Sequence, residues 1–308
     1  MKQLNKQANF VSAVVYCCND SNAVGKFIEG LHMALDAYFA KYEIIVVDDE
    51  SSDGCIQEVR DYVKNKGGLV ISVLRMSYYQ GLEASMNAGI DLAIGDFIYE
   101  FDTCHQDFNW DLLYTIYEHS LTGYDIVNAR PEETSSLISK LSFEIFNRYA
   151  HLPYKIGNES FKIVSRRAIN RVNSITQAIP LRKAAYASSG LKIDAISYKP
   201  NKSNGRNAYK WKTGRIKSLV LFTDIIYRIT LGLSIVMFVL SFSFAIYAFI
   251  YRFLHSSIEG WATAVIFSSV SSCGLFAILA MVIKYLQTII ELTFRKKSYI
   301  FESIEKLQ

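Results

Sequence analysis

An α/β domain with a mainly parallel sheet, followed by an interfacial helix and a two-helix transmembrane hairpin, is the architecture this 308-residue sequence predicts. Three observations carry the expectation. Short β-rich apolar runs alternate with amphipathic segments over residues 10–130. Three of those runs end in polar, mostly acidic residues, and two long uncharged apolar stretches follow in the last third of the chain.

The runs Phe10–Cys17, Glu43–Val47, Leu69–Leu74, Phe97–Phe101 and Asp125–Asn128 read as strands. Between them Val24–Phe39 sets Phe27, Ile28, Leu31 and Leu35 on one helical face, and Ile56–Val63, Leu82–Ala93 and Trp110–Leu121 are further helices. Such alternation makes crossover units with helices on both faces of the sheet. Ligands in these sheets bind beyond the carboxyl ends of the strands. The first strand ends in Asn19-Asp20, the second in Asp48-Asp49-Glu50, and the fourth runs into Asp102-Thr103-Cys104-His105-Gln106-Asp107. Neither a GxGxxG turn nor a P-loop follows the first strand. Acidic tips without a phosphate-cradling glycine loop point to a divalent metal that screens phosphate charge.

Ile229 to Tyr251 and Trp261 to Ile283 each run 23 residues without a charge, enough to cross a bilayer core of about 30 Å. Seven cations and no acid lie between Lys199 and Lys217, and Arg295, Lys296 and Lys297 follow the second stretch. The positive-inside rule then puts the bulk of the protein and both termini in the cytoplasm. Ile216, Leu219, Val220, Phe222 and Ile226 recur at helical spacing beside Lys212 and Arg215, as in an interfacial helix. The expected divisions are a catalytic domain over 1–210, the juxtamembrane helix over 211–228, and the hairpin (229–251, 261–283) with a cytoplasmic tail to 308. The net charge of +4 is modest and its basic stretch abuts a span, which argues against a nucleic-acid partner. The five cysteines have no zinc spacing.

Val11-Ser12-Ala13-Val14-Val15-Tyr16-Cys17-Cys18-Asn19-Asp20 follows the pattern VSVVIPVYNE, and Glu43 to Gly54 follows EIIFVDDGSTDG. Gly81, Ala84, Gly89, Ala93, Gly95 and Asp96 track NxGxxxA…G…A.GD; Asp125 to Arg130 sits at DVVxGSR, Phe161 to Arg166 at FRLxSR, and Lys202 to Tyr209 at RxxGxSxY. In this order and spacing the sequence resembles the inverting family 2 glycosyltransferases of the GT-A fold, of the polyprenyl-phosphate type found in bacterial inner membranes. The resemblance implies transfer of a hexose from a nucleotide-sugar, a UDP-linked one by analogy, to undecaprenyl phosphate for surface polysaccharide modification. It also implies homo-oligomers packed through the hairpins.

Roles follow from the same resemblance. Asn19, Asp20, Asp49, Gly81 and Asp102 would bind the nucleotide-sugar, Asp102 and Gln106 would hold Mg²⁺ or Mn²⁺, and Arg130, Lys162 and Lys202 would hold the acceptor phosphate. Asp102, Arg130 and Lys202 are thereby the expected catalytic residues. A phosphate monoester is largely dianionic at neutral pH, so such an acceptor needs no general base. The sequence departs from the family at Cys104, where DxDxQ has its second Asp, at Tyr79 in place of Asn, at Lys162 and Lys202 in place of Arg, and at Cys18 in place of an aromatic residue. A thiol is a poor ligand for a hard cation. Those departures keep a second reading open, a membrane-anchored nucleotide-sugar or lipid-phosphate binding protein with little turnover.

Overall fold

Val11 to Cys17 is buried without interruption, the pattern of a strand covered on both faces, and it forms the C-terminal part of strand β1 (Gln7–Cys17). The computed structural model describes residues 6–21, 23–132, 144, 147, 153–175, 182–201 and 299–308, together with isolated positions between 232 and 289. After β1 the chain alternates α1 (Val24–Tyr38), β2 (Phe39–Asp48), α2 (Cys55–Lys66), β3 (Ile71–Met76), α3 (Leu82–Leu92), β4 (Phe97–Phe101), α4 (Asp111–Leu121) and β5 (Ile126–Pro131). There follow β6 (Phe161–Ser165), α5 (Arg166–Ile175), α6 (Arg182–Ser188), β7 (Ile193–Tyr198) and β8 (Phe301–Leu307).

The eight strands form one sheet in the order β7-β5-β6-β4-β1-β2-β3-β8. β1 lies parallel to β2 and β4, β2 to β3, and β5 to β7, whereas β6 runs antiparallel to β4 and β5, and β8 antiparallel to β3. The two-residue period of a strand sorts the core into two layers. Val11, Ala13, Val15, Ile44 and Val46 pack on one face with Phe27, Leu31 and Leu35 of α1, Val59 of α2 and Ile116 of α4. Val14, Tyr16, Ile45 and Val47 pack on the other with Met86 and Ile90 of α3, Ala168 and Val172 of α5, and Ala185 and Tyr186 of α6. Gly89 lets α3 close on this second face, since a Cβ there would stand 2.5 Å from Val14 and 2.6 Å from Val47.

The expected strands and helices of residues 10–130 are all present, with ends displaced by a few residues. β8 was not expected. It pairs with β3 and belongs to the first of two units, Met1–Arg215 with Lys296–Gln308, and not to the second, Ile216–Arg295. In the second unit every described position from 232 to 289 is helical, and Val236, Val239, Leu240, Leu275, Leu279 and Leu286 are exposed. Among the described residues no helix is long and apolar enough to cross a membrane. Most of the predicted hairpin, and the whole predicted juxtamembrane helix, lie outside the described residues.

Candidate active site

Register decides what meets at the carboxyl edge. Cys17 of β1 pairs with Asp48 of β2, and Val15 with Phe101 of β4, so the residues that leave these strands emerge side by side. The tips of β1 and β2 are tied to each other. Asn19 takes a left-handed φ of 52°, which Asn tolerates better than most residues, and its Oδ1 accepts the Ser52 amide at 2.9 Å. Its own amide donates to Ser51 Oγ at 3.1 Å. Asp53 accepts amides of Ser21 and Cys55 at 2.7 and 3.1 Å, joining the first loop to the start of α2. Burial works against its charge, but these two amides outweigh it and hold the carboxyl below its usual range.

Asp48 and Asp49 are fully buried. Asp48 accepts from the Ser51 amide at 3.0 Å and from Arg75 Nε at 3.2 Å, and so shapes its own turn. Asp49 accepts the amides of Gln80 and Gly81 at 2.8 and 2.9 Å and the Tyr16 hydroxyl at 2.9 Å. Burial and the adjacent Asp49 push the Tyr16 phenol up, so it remains a neutral donor. Gly81, at φ 85°, opens α3 directly after this turn. Asp49 and Gly81, both expected at the nucleotide, are thus brought into one hydrogen-bonded unit. Asp20 is partly exposed beside them, its Oδ1 3.7 Å from His105 Nε2.

The tip of β4 is built from charges. Asp102, 6 % exposed, accepts from Arg182 Nη2 at 2.5 Å. Arg182 is itself 1 % exposed and also meets Glu100 at 3.1 Å and Glu83 at 3.2 Å. Glu100 accepts from the Tyr186 hydroxyl and lies 3.4 Å from Lys162 Nζ. Lys183 meets Glu159 at 2.9 Å, and Glu159 meets Arg130 at 3.3 Å. Four carboxylates (Glu83, Glu100, Asp102, Glu159) and four cations (Arg130, Lys162, Arg182, Lys183) therefore run from α3 to β5 with no net charge. Burial raises the Asp102 carboxyl, but Lys162 and Arg182 more than offset it and hold it below the usual carboxylate range. Glu159 is depressed in the same way by Lys183. At Glu83 burial prevails over Arg182, and the carboxyl is pushed up.

Lys162 is engaged within the protein. Rather than presenting its ammonium to an incoming phosphate, it stands opposite Glu100 in the antiparallel β4–β6 ladder and is 2 % exposed. Its charge goes to Glu100 and Asp102, which raise its pKa against the opposing effect of burial. Arg130 is different. Its side chain is 36 % exposed, Nη2 donates to Tyr154 and Glu159 at 3.3 Å each, and Nε is buried with no partner. Lys202 lies outside the described residues. Sequence reasoning missed Arg182, Lys183, Glu83 and Glu159; Glu100, a single acid inside the apolar run Phe97–Phe101, was the available signal.

Cys104 is buried at the tip of β1. Its thiol donates to the Tyr16 carbonyl at 3.2 Å, and its sulfur, that of Cys17 and a carboxylate oxygen of Asp20 lie within 4.8 Å of one another. Gln106 directs Nε2 to the Phe108 carbonyl at 2.6 Å, which leaves the amide oxygen for another partner. Asp102 has one oxygen on Arg182 and one without a hydrogen bond among the described residues. One carboxylate oxygen and one amide oxygen suit a hard cation such as Mg²⁺ or Mn²⁺, which keeps several waters.

Residues 12–169 match the sequence profile of Glycosyl transferase family 2. The chain is 27 % identical over 145 residues to an undecaprenyl-phosphate 4-deoxy-4-formamido-L-arabinose transferase of Aeromonas hydrophila, covering 47 % of this chain and 44 % of that protein. It is 35 % identical over 92 residues to a dodecaprenyl-phosphate galacturonate synthase of Rhizobium johnstonii, covering 30 % and 27 %. The chain thus spans less than half the length of each of these two relatives. Among solved structures, the mannosyltransferase PcManGT of Pyrobaculum calidifontis, in complex with GDP-Man and Mn²⁺, superposes with a TM-score of 0.50 at 14 % identity over 91 % of this chain and 88 % of that one. With a matched segment of half the chain, running from β1 through β6, and the acidic strand tips that it contains, this protein belongs to glycosyl transferase family 2 and has its GT-A type α/β fold.

Proposed function

We propose that the protein transfers a hexose, with inversion, from a nucleotide-sugar to the phosphate of a membrane polyprenol, undecaprenyl phosphate, for modification of a surface polysaccharide. The observation that carries the reading is Arg130, half-exposed at the end of β5, with its buried Nε unpartnered and only Nη2 engaged among the described residues. A guanidinium with donors to spare, in a cluster where cations equal carboxylates in number, is suited to a phosphate dianion. The names of the two bacterial relatives point to the same acceptor class.

On this reading a phosphate oxygen of the acceptor forms the new bond to the anomeric carbon. The bond from that carbon to the donor's diphosphate breaks, and the nucleoside diphosphate leaves with the electron pair. No proton need move, because the acceptor is already ionised. Arg130, with Lys202, would orient the acceptor and reduce the repulsion between two anions. Asp20 and the Asp49 turn would receive the nucleoside end. A Mg²⁺ or Mn²⁺ held by Asp102 and Gln106 would supply charge stabilisation to the departing diphosphate. The stretches 229–251 and 261–283 would form the membrane anchor, with the catalytic domain on the cytoplasmic side of a bacterial inner membrane. The exposed leucines and valines of the second unit support that assignment.

Binding without turnover is the second reading, favoured by Arg182 on Asp102 and by the thiol of Cys104 in place of a second carboxylate. One assay separates the two. Purified full-length protein is incubated with undecaprenyl phosphate, Mg²⁺ or Mn²⁺, and each of a panel of radiolabelled UDP-hexoses and GDP-mannose. The expected result is a labelled lipid from one donor. Donor binding with no labelled lipid would establish the second reading, and absence of both would overturn the assignment.

A further inference from the structure

We propose that strand β8 is a positioning element of the donor site, acting through Gln80 on the turn that holds Asp49. β8 pairs with β3 from Ile71↔Leu307 to Arg75↔Ser303, and after a register shift Met76 pairs with Phe301. One residue before β8, the main chain of Ile300 leaves the ladder and grips the turn that follows β3. The Ile300 carbonyl accepts from the Ser77 amide at 3.3 Å and from Gln80 Nε2, and the Ile300 amide donates to Gln80 Oε1 at 2.9 Å. The carboxamide of Gln80 thus satisfies both main-chain groups of Ile300, as a strand neighbour would.

Gln80 is held from outside by Ile300 and faces inward through its backbone. Its amide and that of Gly81 are the two that Asp49 accepts, at 2.8 and 2.9 Å, while the Tyr79 amide goes to Glu50 at 2.5 Å. Tyr78 and Tyr79 of this turn are 48 and 54 % exposed. Among the hydrogen bonds that reach the turn from outside are those to the carboxylates of Asp49 and Glu50, which follow β2, and to the main chain of Ile300. A further contact fixes Ile300 in place, the Tyr299 hydroxyl donating to Asp91 of α3 at 2.7 Å, whereas the exposed pair of Arg60 and Glu305 lies farther along β8. Beyond the turn, Glu83 on the first turn of α3 is a partner of Arg182, so the same segment also borders the Asp102 cluster. Gln80 is a positioning residue in this scheme. The inference rests on the reading of the Asp49 turn as part of the donor site.

The test uses the full chain, hydrogen exchange and donor kinetics. In Gln80→Ala the amides of residues 79–81 should exchange about ten-fold faster, while those of β1 and α1 keep their protection. The KM for the nucleotide-sugar should rise roughly ten-fold with kcat changed less than about two-fold, the mark of lost ground-state positioning. Gln80→Glu keeps an acceptor for the Ile300 amide and should fall between. Ile300→Pro removes the N–H that Gln80 Oε1 accepts, besides fixing φ and losing the exposed isoleucine side chain, and should reproduce the faster exchange from the strand's side, which guards against a folding defect at Gln80. Glu305→Ala, which loses an exposed ion pair, should exchange as the parent does. Unchanged exchange at 79–81 in both Gln80→Ala and Ile300→Pro would overturn the proposal, as would a loosened turn with an unchanged KM. If the parent protein transfers no sugar, the glycosyl-transfer reading fails by itself, and the exchange comparison still decides whether β8 holds the turn.

Discussion

Asp49 and Asp102 follow strands that flank β1 on either side, and both are buried, yet their negative charges are met by different partners. Asp49 is satisfied by two backbone amides and a phenol, all neutral. Asp102 is satisfied by a buried guanidinium that also serves Glu83 and Glu100, with Lys162 alongside. The first arrangement is local: its strength lies in the geometry of one turn. The second is shared, and removing one member leaves several desolvated charges without a counter-ion. A carboxylate at a strand tip is therefore no single kind of site, and the partners determine how far a change at it spreads.

The sharpest way to break this contrast is Arg182→Met, which keeps most of the volume and deletes the shared cation. Two buried carboxylates, Glu100 and Asp102, and the partly buried Glu83 lose a partner together, and chemical denaturation should show a loss of about 3–5 kcal/mol, or failure to fold. Asp49→Asn should cost less, about 1–3 kcal/mol, because one acceptor oxygen becomes an NH₂ that confronts a main-chain donor. Denaturation of the two variants side by side tests the order.

Acid titration sharpens the comparison further. Asp102 and Glu159 have folded-state values below the usual range, so the stability they contribute is present above their unfolded values and is lost as pH falls through the depressed folded ones. Glu83, raised in the folded state, acts in the opposite sense: its contribution is complete at low pH and is lost as pH rises through its folded value. Below about pH 4 the parent should lose stability. Asp102→Asn should flatten that loss and Glu83→Gln should steepen it, measured as unfolding free energy against pH. The smallest effect belongs to the exposed pair of Arg60 and Glu305. Arg60→Ala should change stability by less than about 1 kcal/mol, and less still at high salt.

Much of the parallel half of the sheet was legible in the sequence because strands covered on both faces read as unbroken apolar runs; Val11 to Cys17 is the clearest. β7 and β8 were not. Every residue of Ile193–Tyr198 keeps some exposure, and Phe301–Leu307 mixes Glu302, Glu305 and Lys306 with exposed apolar residues, as befits an edge strand. The acidic tips were legible for a related reason, since a carboxylate that directly ends an apolar strand has few places to go. Their partners were not. Arg182 lies 80 residues from Asp102 and 82 from Glu100, and its own surroundings, Pro180-Leu181 and Lys183, carry no pattern that names a distant acid. Lys162 was legible as a cation, but its partner was not. Only the antiparallel register opposite Glu100 shows that its charge is already matched.

The pairing of β3 with β8 also has a consequence for how the protein is made. The ribosome completes β3 early, but its partner emerges only after residues 216–295, so one edge of a well-formed sheet must wait on the order of ten seconds or more at about 5–20 residues per second. During that interval the nascent chain offers unpaired backbone groups along Ile71–Met76, a template to which any extended segment can add. Slowing the arrival of β8 should therefore favour intermolecular strand pairing over correct closure, so the yield of folded protein depends on how promptly the last strand is delivered.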